Sequence, residues 1–171
     1  DGYGFAKLLT DINQISGIER IRFISPHPKD FTDDVIDAIA KCEKVCKSVH
    51  LPLQSGSSNV LKAMNRNYTK EHYLELAYKI KEKITNVALT TDIIVGIPGE
   101  TEEDFNQLCE WVKEMKFERL GAFAYSEEEG TFAAKHYKDD IPQEEKDEKL
   151  YNEEQPKKNL QLMYHKNPLP R

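Results

Sequence analysis

The chain has 171 residues, 39% of them hydrophobic, which is enough to fill one core and not comfortably two. A formal net charge of -6, with 32% charged residues of both signs, excludes a broad basic face, so any contact with nucleic acid has to be local. No apolar run reaches the ~18 residues of a membrane span, no basic-then-apolar leader opens the sequence, and the three cysteines lack a disulfide-framework spacing, so no membrane partner and a cytoplasmic location are expected.

In chain order, Phe5, Leu8, Leu9, Ile12 and Ile15 recur at three- and four-residue steps and predict a helix over residues 3–15 that ends near Ser16-Gly17. A strand is expected at about residues 18–25. Pro26 and Pro28 then hold an extended loop, after which Thr32 can cap a helix with Val35, Ile36, Ile39 and Ala40 inward. A second strand is expected at residues 48–53. The polar turn Gln54-Ser55-Gly56-Ser57-Ser58 leads into a short helix with Val60, Leu61 and Met64 buried, and Thr69 caps a longer one marked by Tyr73, Leu74, Ala77 and Ile80.

Residues 87–95 are nearly continuous in apolar and β-branched side chains, as in a parallel strand covered on both faces. The turn Gly96-Ile97-Pro98-Gly99-Glu100-Thr101 follows. It opens a helix with Phe105, Leu108, Trp111, Val112 and Met115 at helical spacing, where Thr101 and Asp104 form a capping box. A fourth strand is expected at residues 119–125, then an acidic loop and a polar, Lys- and Glu-rich segment. The expected class is α/β, a partial (βα) barrel of about four parallel strands over residues 1–150, with a weakly ordered polar tail at 151–171.

In such a sheet, ligands sit at the carboxyl edge of the strands. Two glycines after a buried strand let the backbone of the Gly96–Thr101 turn approach a nucleoside or an anionic group; the plain alternative is a routine connector. Gln54, Ser55 and Ser57 offer an amide and hydroxyls to a ribose or an amino-acid group, or simply cap a helix. Asp92 inside an apolar strand either faces a polar cavity or serves as a structural acceptor. Arg66 can clasp a carboxylate or can be solvated. Cys42 and Cys46 read as small apolar residues at a helix end, Cys109 as core, and the five dispersed histidines suggest no metal cluster.

Longer strings carry more. Arg20-Ile21-Arg22-Phe23 with Ser25-Pro26-His27-Pro28, His50-Leu51-Pro52-Leu53-Gln54-Ser55-Gly56-Ser57, Met64-Asn65-Arg66, and Thr90-Thr91-Asp92-Ile93-Ile94-Val95-Gly96-Ile97-Pro98-Gly99-Glu100-Thr101 occur in that order. In these strings the chain resembles the radical S-adenosylmethionine methylthiotransferases over residues 1–150. The resemblance implies a barrel of the radical SAM type, with an S-adenosyl-L-methionine pocket lined by Gln54, Ser55, Ser57, Gly96, Gly99 and Glu100. It makes Ser25, His27, Arg66 and Asp92 candidate pocket residues.

The resemblance also implies a 4Fe-4S cluster, held in the family by a Cys-x-x-x-Cys-x-x-Cys loop for which this sequence has no counterpart. The third thiolate of a Cys42-x-x-x-Cys46 reading would fall on Val49. The chain is therefore expected to begin after the first two barrel strands, to lack the family's small RNA-binding barrel, and to self-associate through exposed strand edges. The longer matching tract is that of the branch acting on the modified adenosine beside the tRNA anticodon, so tRNA is the expected partner. Residues 117–135 look more like the branch acting on an aspartate of a small-subunit ribosomal protein. That reading, and a non-catalytic fragment, are the alternatives.

Overall fold

The computed structural model describes residues 3–24 and 27–150. In chain order the elements are α1 (Phe5–Gln14), a 3-10 turn (Pro28–Asp30), α2 (Asp33–Lys41), β1 (Ser48–His50), α3 (Ser58–Ala63), α4 (Lys70–Lys83), β2 (Ala88–Val95), α5 (Glu102–Met115), β3 (Arg119–Ala124), α6 (Phe132–His136) and α7 (Gln143–Leu150). The sheet has the order β1-β2-β3, and β1 pairs parallel with β2 in the register Ser48↔Ala88, Val49↔Leu89, His50↔Thr90. The βα alternation and the parallel pairing are those expected of a partial barrel.

Chain contacts divide the molecule into two compact units, one of Asp1–Pro52 with Glu71–Thr90, the other of Leu53–Lys70 with residues from 91 onward. In the first unit α1 packs on α2, and Val35, Ile36, Ile39, Val49, Leu51, Tyr73, Ala77, Ile80 and Leu89 are buried. The buried Tyr73 hydroxyl donates to the Leu51 carbonyl at 2.7 Å, so the largest core side chain leaves no polar atom unsatisfied. In the second unit the core is built by Leu53, Val60, Leu61, Ile93, Val95, Phe105, Leu108, Val112 and Met115.

Two expectations need correction. Of the strand expected at 18–25, the described residues form one parallel bridge, Ile21↔Val45, fixed by Ile21 N–H to Lys44 O (2.7 Å) and Cys46 N–H to Ile21 O (3.0 Å). Its neighbours Arg20, Arg22 and Ile24 are exposed, and the ladder does not extend through them. Finally, β2 is not covered on both faces: Leu89, Thr91, Ile93 and Val95 are buried, while Ala88, Thr90, Asp92 and Ile94 alternate with them on a half-open face. Ser25 and residues 151–171 lie outside the described residues.

Candidate functional site

The candidate residues of the second unit lie on β2, on the turn after it and on the segment from Gln54 to Arg66. Past β1 the chain stays in register with β2: Gln54 N–H donates to Asp92 O at 2.9 Å, and Ile94 N–H donates to Gln54 O at 2.8 Å. Gln54 then turns through φ 71°, a left-handed value rare outside glycine, which ends the pairing at this residue. Asp92 lies on the half-open face of β2, next to Gly121 of β3, where a Cβ on the glycine would come within 2.4 Å of Asp92 Oδ1.

The serines after Gln54 are turned to internal work. Ser55 Oγ accepts from Ser57 N–H (3.2 Å), and Ser57 Oγ accepts from Val60 N–H as the N-cap of α3. Both are buried. Gly56 between them is required by packing, since a Cβ there would meet Leu108 Cβ at 2.6 Å and Leu108 Cα at 2.9 Å. Arg66 follows Asn65, whose φ of 56° closes the end of α3, and is half-buried beside Tyr68. Burial raises the Tyr68 hydroxyl above its ordinary range, the Arg66 charge offsets this in part, and the hydroxyl donates to Leu53 O at 3.3 Å.

In the turn after β2, Gly96 and Gly99 both have positive φ, 70° and 85°. Glu100 folds back so that its Oε1 accepts Gly96 N–H at 3.0 Å, while its own N–H donates to Ile97 O at 2.9 Å. The same Oε1 lies 3.1 Å from Lys149 Nζ of α7, an ion pair whose side chains are 1% and 5% exposed. Burial pushes the Glu100 carboxyl above the ordinary carboxylate range, and the Gly96 N–H and the Lys149 ammonium pull it back only in part. Thr101 and Asp104 form the expected capping box of α5.

The two glycines of this turn have different surroundings. A Cβ on Gly96 would lie 2.4 Å from Lys146 Cγ, so the space beside Gly96 is filled by the stem of Lys146, whose ammonium pairs with Asp139 and lies 5.2 Å from the Tyr125 ring centroid. A Cβ on Gly99 would meet nothing within 4 Å. Gly99 instead opens onto a cleft of about 390 Å³, walled by Val60, Ala63 and Pro98 and edged by Asn59, His136 and Lys138.

In the first unit, His27 caps the 3-10 turn, its Nδ1 accepting from Lys29 N–H at 3.2 Å. Gly121, Lys146 and Lys149 escaped the sequence reading. The one signal was in the segment read as polar, where Lys146 and Lys149 stand three residues apart and so share a helical face. Among the described residues no group of three or more His, Cys, Asp or Glu could hold a metal ion, and no helix is long and apolar enough to cross a membrane.

Comparison with known proteins shows the family to which the chain belongs. Over 142 residues, 83% of the chain, it is 56% identical to a tRNA-2-methylthio-N(6)-dimethylallyladenosine synthase of Clostridium botulinum, covering 31% of that protein. Proteins of the same name from Acetivibrio thermocellus and Thermotoga petrophila are each 54% identical, over 88% and 85% of the chain and 31% and 33% of their own lengths. The chain thus spans about a third of the length of these relatives. Among solved structures, it superimposes on coproporphyrinogen III oxidase (HemN) from Escherichia coli, a radical SAM enzyme, with a TM-score of 0.60 and 26% identity, over 80% of the chain and 31% of that structure. The model of the Radical SAM superfamily matches residues 1–112, and the chain belongs to that superfamily.

Proposed function

We propose that this chain supplies the adenosyl-binding part of a radical S-adenosylmethionine methylthiotransferase acting on tRNA, at the modified adenosine beside the anticodon. The observation that carries the site is Gly99, held at a φ of 85° on a strand-to-helix turn and uncovered on the cleft side. An adenosyl group combines a flat, largely apolar base with a polar ribose. It suits a cleft with an apolar wall of Val60, Ala63 and Pro98 and polar groups at its edge. In this reading the Gln54 amide and the Asp92 carboxylate orient polar groups of the ligand, and Arg66 takes a carboxylate.

In the superfamily the bound cofactor supplies a 5′-deoxyadenosyl radical once an iron–sulfur cluster reduces it. The described residues do not fit the cluster, since they bring no set of three ligands together. Their contribution is to bind and orient: Glu100 fixes the turn, Gly99 admits the ligand, and Val60, Ala63 and Pro98 keep water from one face of it.

Two experiments test this. Titrating the chain with S-adenosylhomocysteine should shift the amide resonances of Asn59, Ala63 and Gly99, and shifts confined to other residues would remove the site. Replacing the corresponding third of the Clostridium botulinum relative with this chain should preserve 2-methylthio-adenosine in tRNA, read by mass spectrometry of nucleosides. Loss of that product with cofactor cleavage intact would point to the ribosomal-protein substrate instead.

A further inference from the structure

From the buried contacts of α7, we infer that Lys149 is a positioning residue of the adenosyl site, acting through Glu100 on the Gly96–Gly99 turn; this rests on the site reading above. The helix Gln143–Leu150 is too polar to dock by apolar burial, yet Lys146 and Lys149 are buried. A lysine gives up solvation at considerable cost, and the cost is met only where partners are arranged for it.

For Lys149 the partners are Glu100 Oε1 at 3.1 Å, Glu145 Oε1 at 3.4 Å and the Phe105 ring, 5.5 Å from its centroid. Glu100 Oε1 is shared, because it also accepts Gly96 N–H. One oxygen therefore ties the first residue of the turn to α7, and Lys149 determines where that oxygen sits. Lys146 closes the other side of Gly96 with its stem, so the turn is clasped from α7 at two points while Gly99 stays open. Glu100 alone could swing toward solvent and release Gly96. Paired with a buried ammonium, it cannot do so without leaving that charge unpaired.

The test uses the 171-residue chain and its variants Lys149→Met, Lys149→Arg, Glu100→Gln and the double variant, followed by NMR. Lys149→Met should speed hydrogen exchange at Gly96 N–H by about tenfold or more, the scale of a charge-assisted hydrogen bond lost. It should also move the Glu100 carboxyl titration further upward and weaken S-adenosylhomocysteine binding by a similar factor, while Lys149→Arg keeps most of all three. In the Glu100→Gln background, adding Lys149→Met should change Gly96 exchange by less than about twofold, because the path through the carboxylate is already cut.

Should Lys149→Met fail to fold, the double variant, which leaves no lone buried charge, carries the comparison against Glu100→Gln. Unchanged Gly96 exchange and Glu100 titration in Lys149→Met, or an equal effect of that substitution in both backgrounds, would overturn the assignment. A wild-type chain that binds no S-adenosylhomocysteine would overturn the site reading alone, since exchange and titration judge Lys149 without ligand.

Discussion

Gly121 makes room for Asp92: a Cβ on the glycine would stand 2.4 Å from the carboxylate Oδ1 and 3.0 Å from Phe123 Cε2. A polar side chain thus occupies a place on the half-open face of β2 that exists because the neighbouring strand has none. The glycine in β3 is explained by this close approach, whereas an unpacked strand glycine only weakens a sheet.

Gly121→Ala should therefore displace Asp92, whose carboxylate is the end of a side chain that can turn away, and cost about 1 kcal/mol, the low end for overpacking. The cost should shrink when Asp92 is shortened to Ala in the same chain. Urea unfolding of the two single variants and the double variant measures the coupling; additive losses would mean that the alanine methyl is resisted by Phe123 or the backbone instead.

Gly56 and Gly99 should respond oppositely to substitution. At Gly56 an added methyl meets the Cβ and Cα of Leu108, atoms that no rotamer change can move, so Gly56→Ala should lose about 3 kcal/mol and lower the unfolding midpoint sharply. At Gly99 the space is empty and asparagine tolerates a positive φ, so Gly99→Asn should cost under about 1 kcal/mol. It should nevertheless weaken S-adenosylhomocysteine binding, because its side chain enters the cleft. A Gly99→Asn chain that unfolds cooperatively at the wild-type urea concentration and still binds as well would show that ligands do not pass this residue.

The elements that place the site were legible because they depend on local signals. The run that became β2, the Thr101 and Asp104 capping box and the N-cap position of Ser57 each lie within a few residues of their partners. What was not legible depends on distant neighbours. Nothing near Gly96 announces that Lys146 will fill its flank, and nothing near Glu100 announces an ion pair with Lys149, 49 positions away. The alternation of β2 was masked because Ile94 and Ala88, on its more open face, are as apolar as the residues on its buried face. The 18–25 segment reads as a strand from composition, but a strand needs a neighbour, and among its described residues only Ile21 makes a bridge.

Glu100 should leave a mark on the pH dependence of stability. Burial first, opposed by Gly96 N–H and Lys149, sets its folded-state value above that of the unfolded chain. Over the window between the two values the folded chain still holds a proton that the unfolded chain has released. This contribution is complete below the ordinary glutamate range and is lost as pH rises through the folded value. Urea midpoints measured across that window should fall for the wild type more than for Glu100→Gln, which cannot titrate. Parallel profiles would indicate a carboxylate already ionised throughout, its attraction to Lys149 outweighing burial.

Asp104 should act in the opposite direction. Burial alone would raise its carboxyl, but the Thr101 N–H, the Thr101 hydroxyl and the Ser57 hydroxyl outweigh burial and hold it below the ordinary range. Its contribution is present above the unfolded value and disappears as pH falls through the folded one. Thr101 gives and receives in this arrangement: its N–H donates to Asp104 Oδ2 at 3.0 Å, and its Oγ accepts Asp104 N–H at 3.2 Å. Thr101→Ala should cost about 1 kcal/mol at neutral pH, the usual loss for an N-cap, while Thr101→Ser should recover most of it. Because the alanine variant loses the hydroxyl that lowers the carboxyl, it should also lose less stability than the wild type on acidification. Circular dichroism during urea titrations at neutral pH and below the aspartate range separates the two effects. An alanine variant displaced by the same amount at both pH values would assign Thr101 to backbone capping and leave the low Asp104 value to Ser57 and the Thr101 N–H.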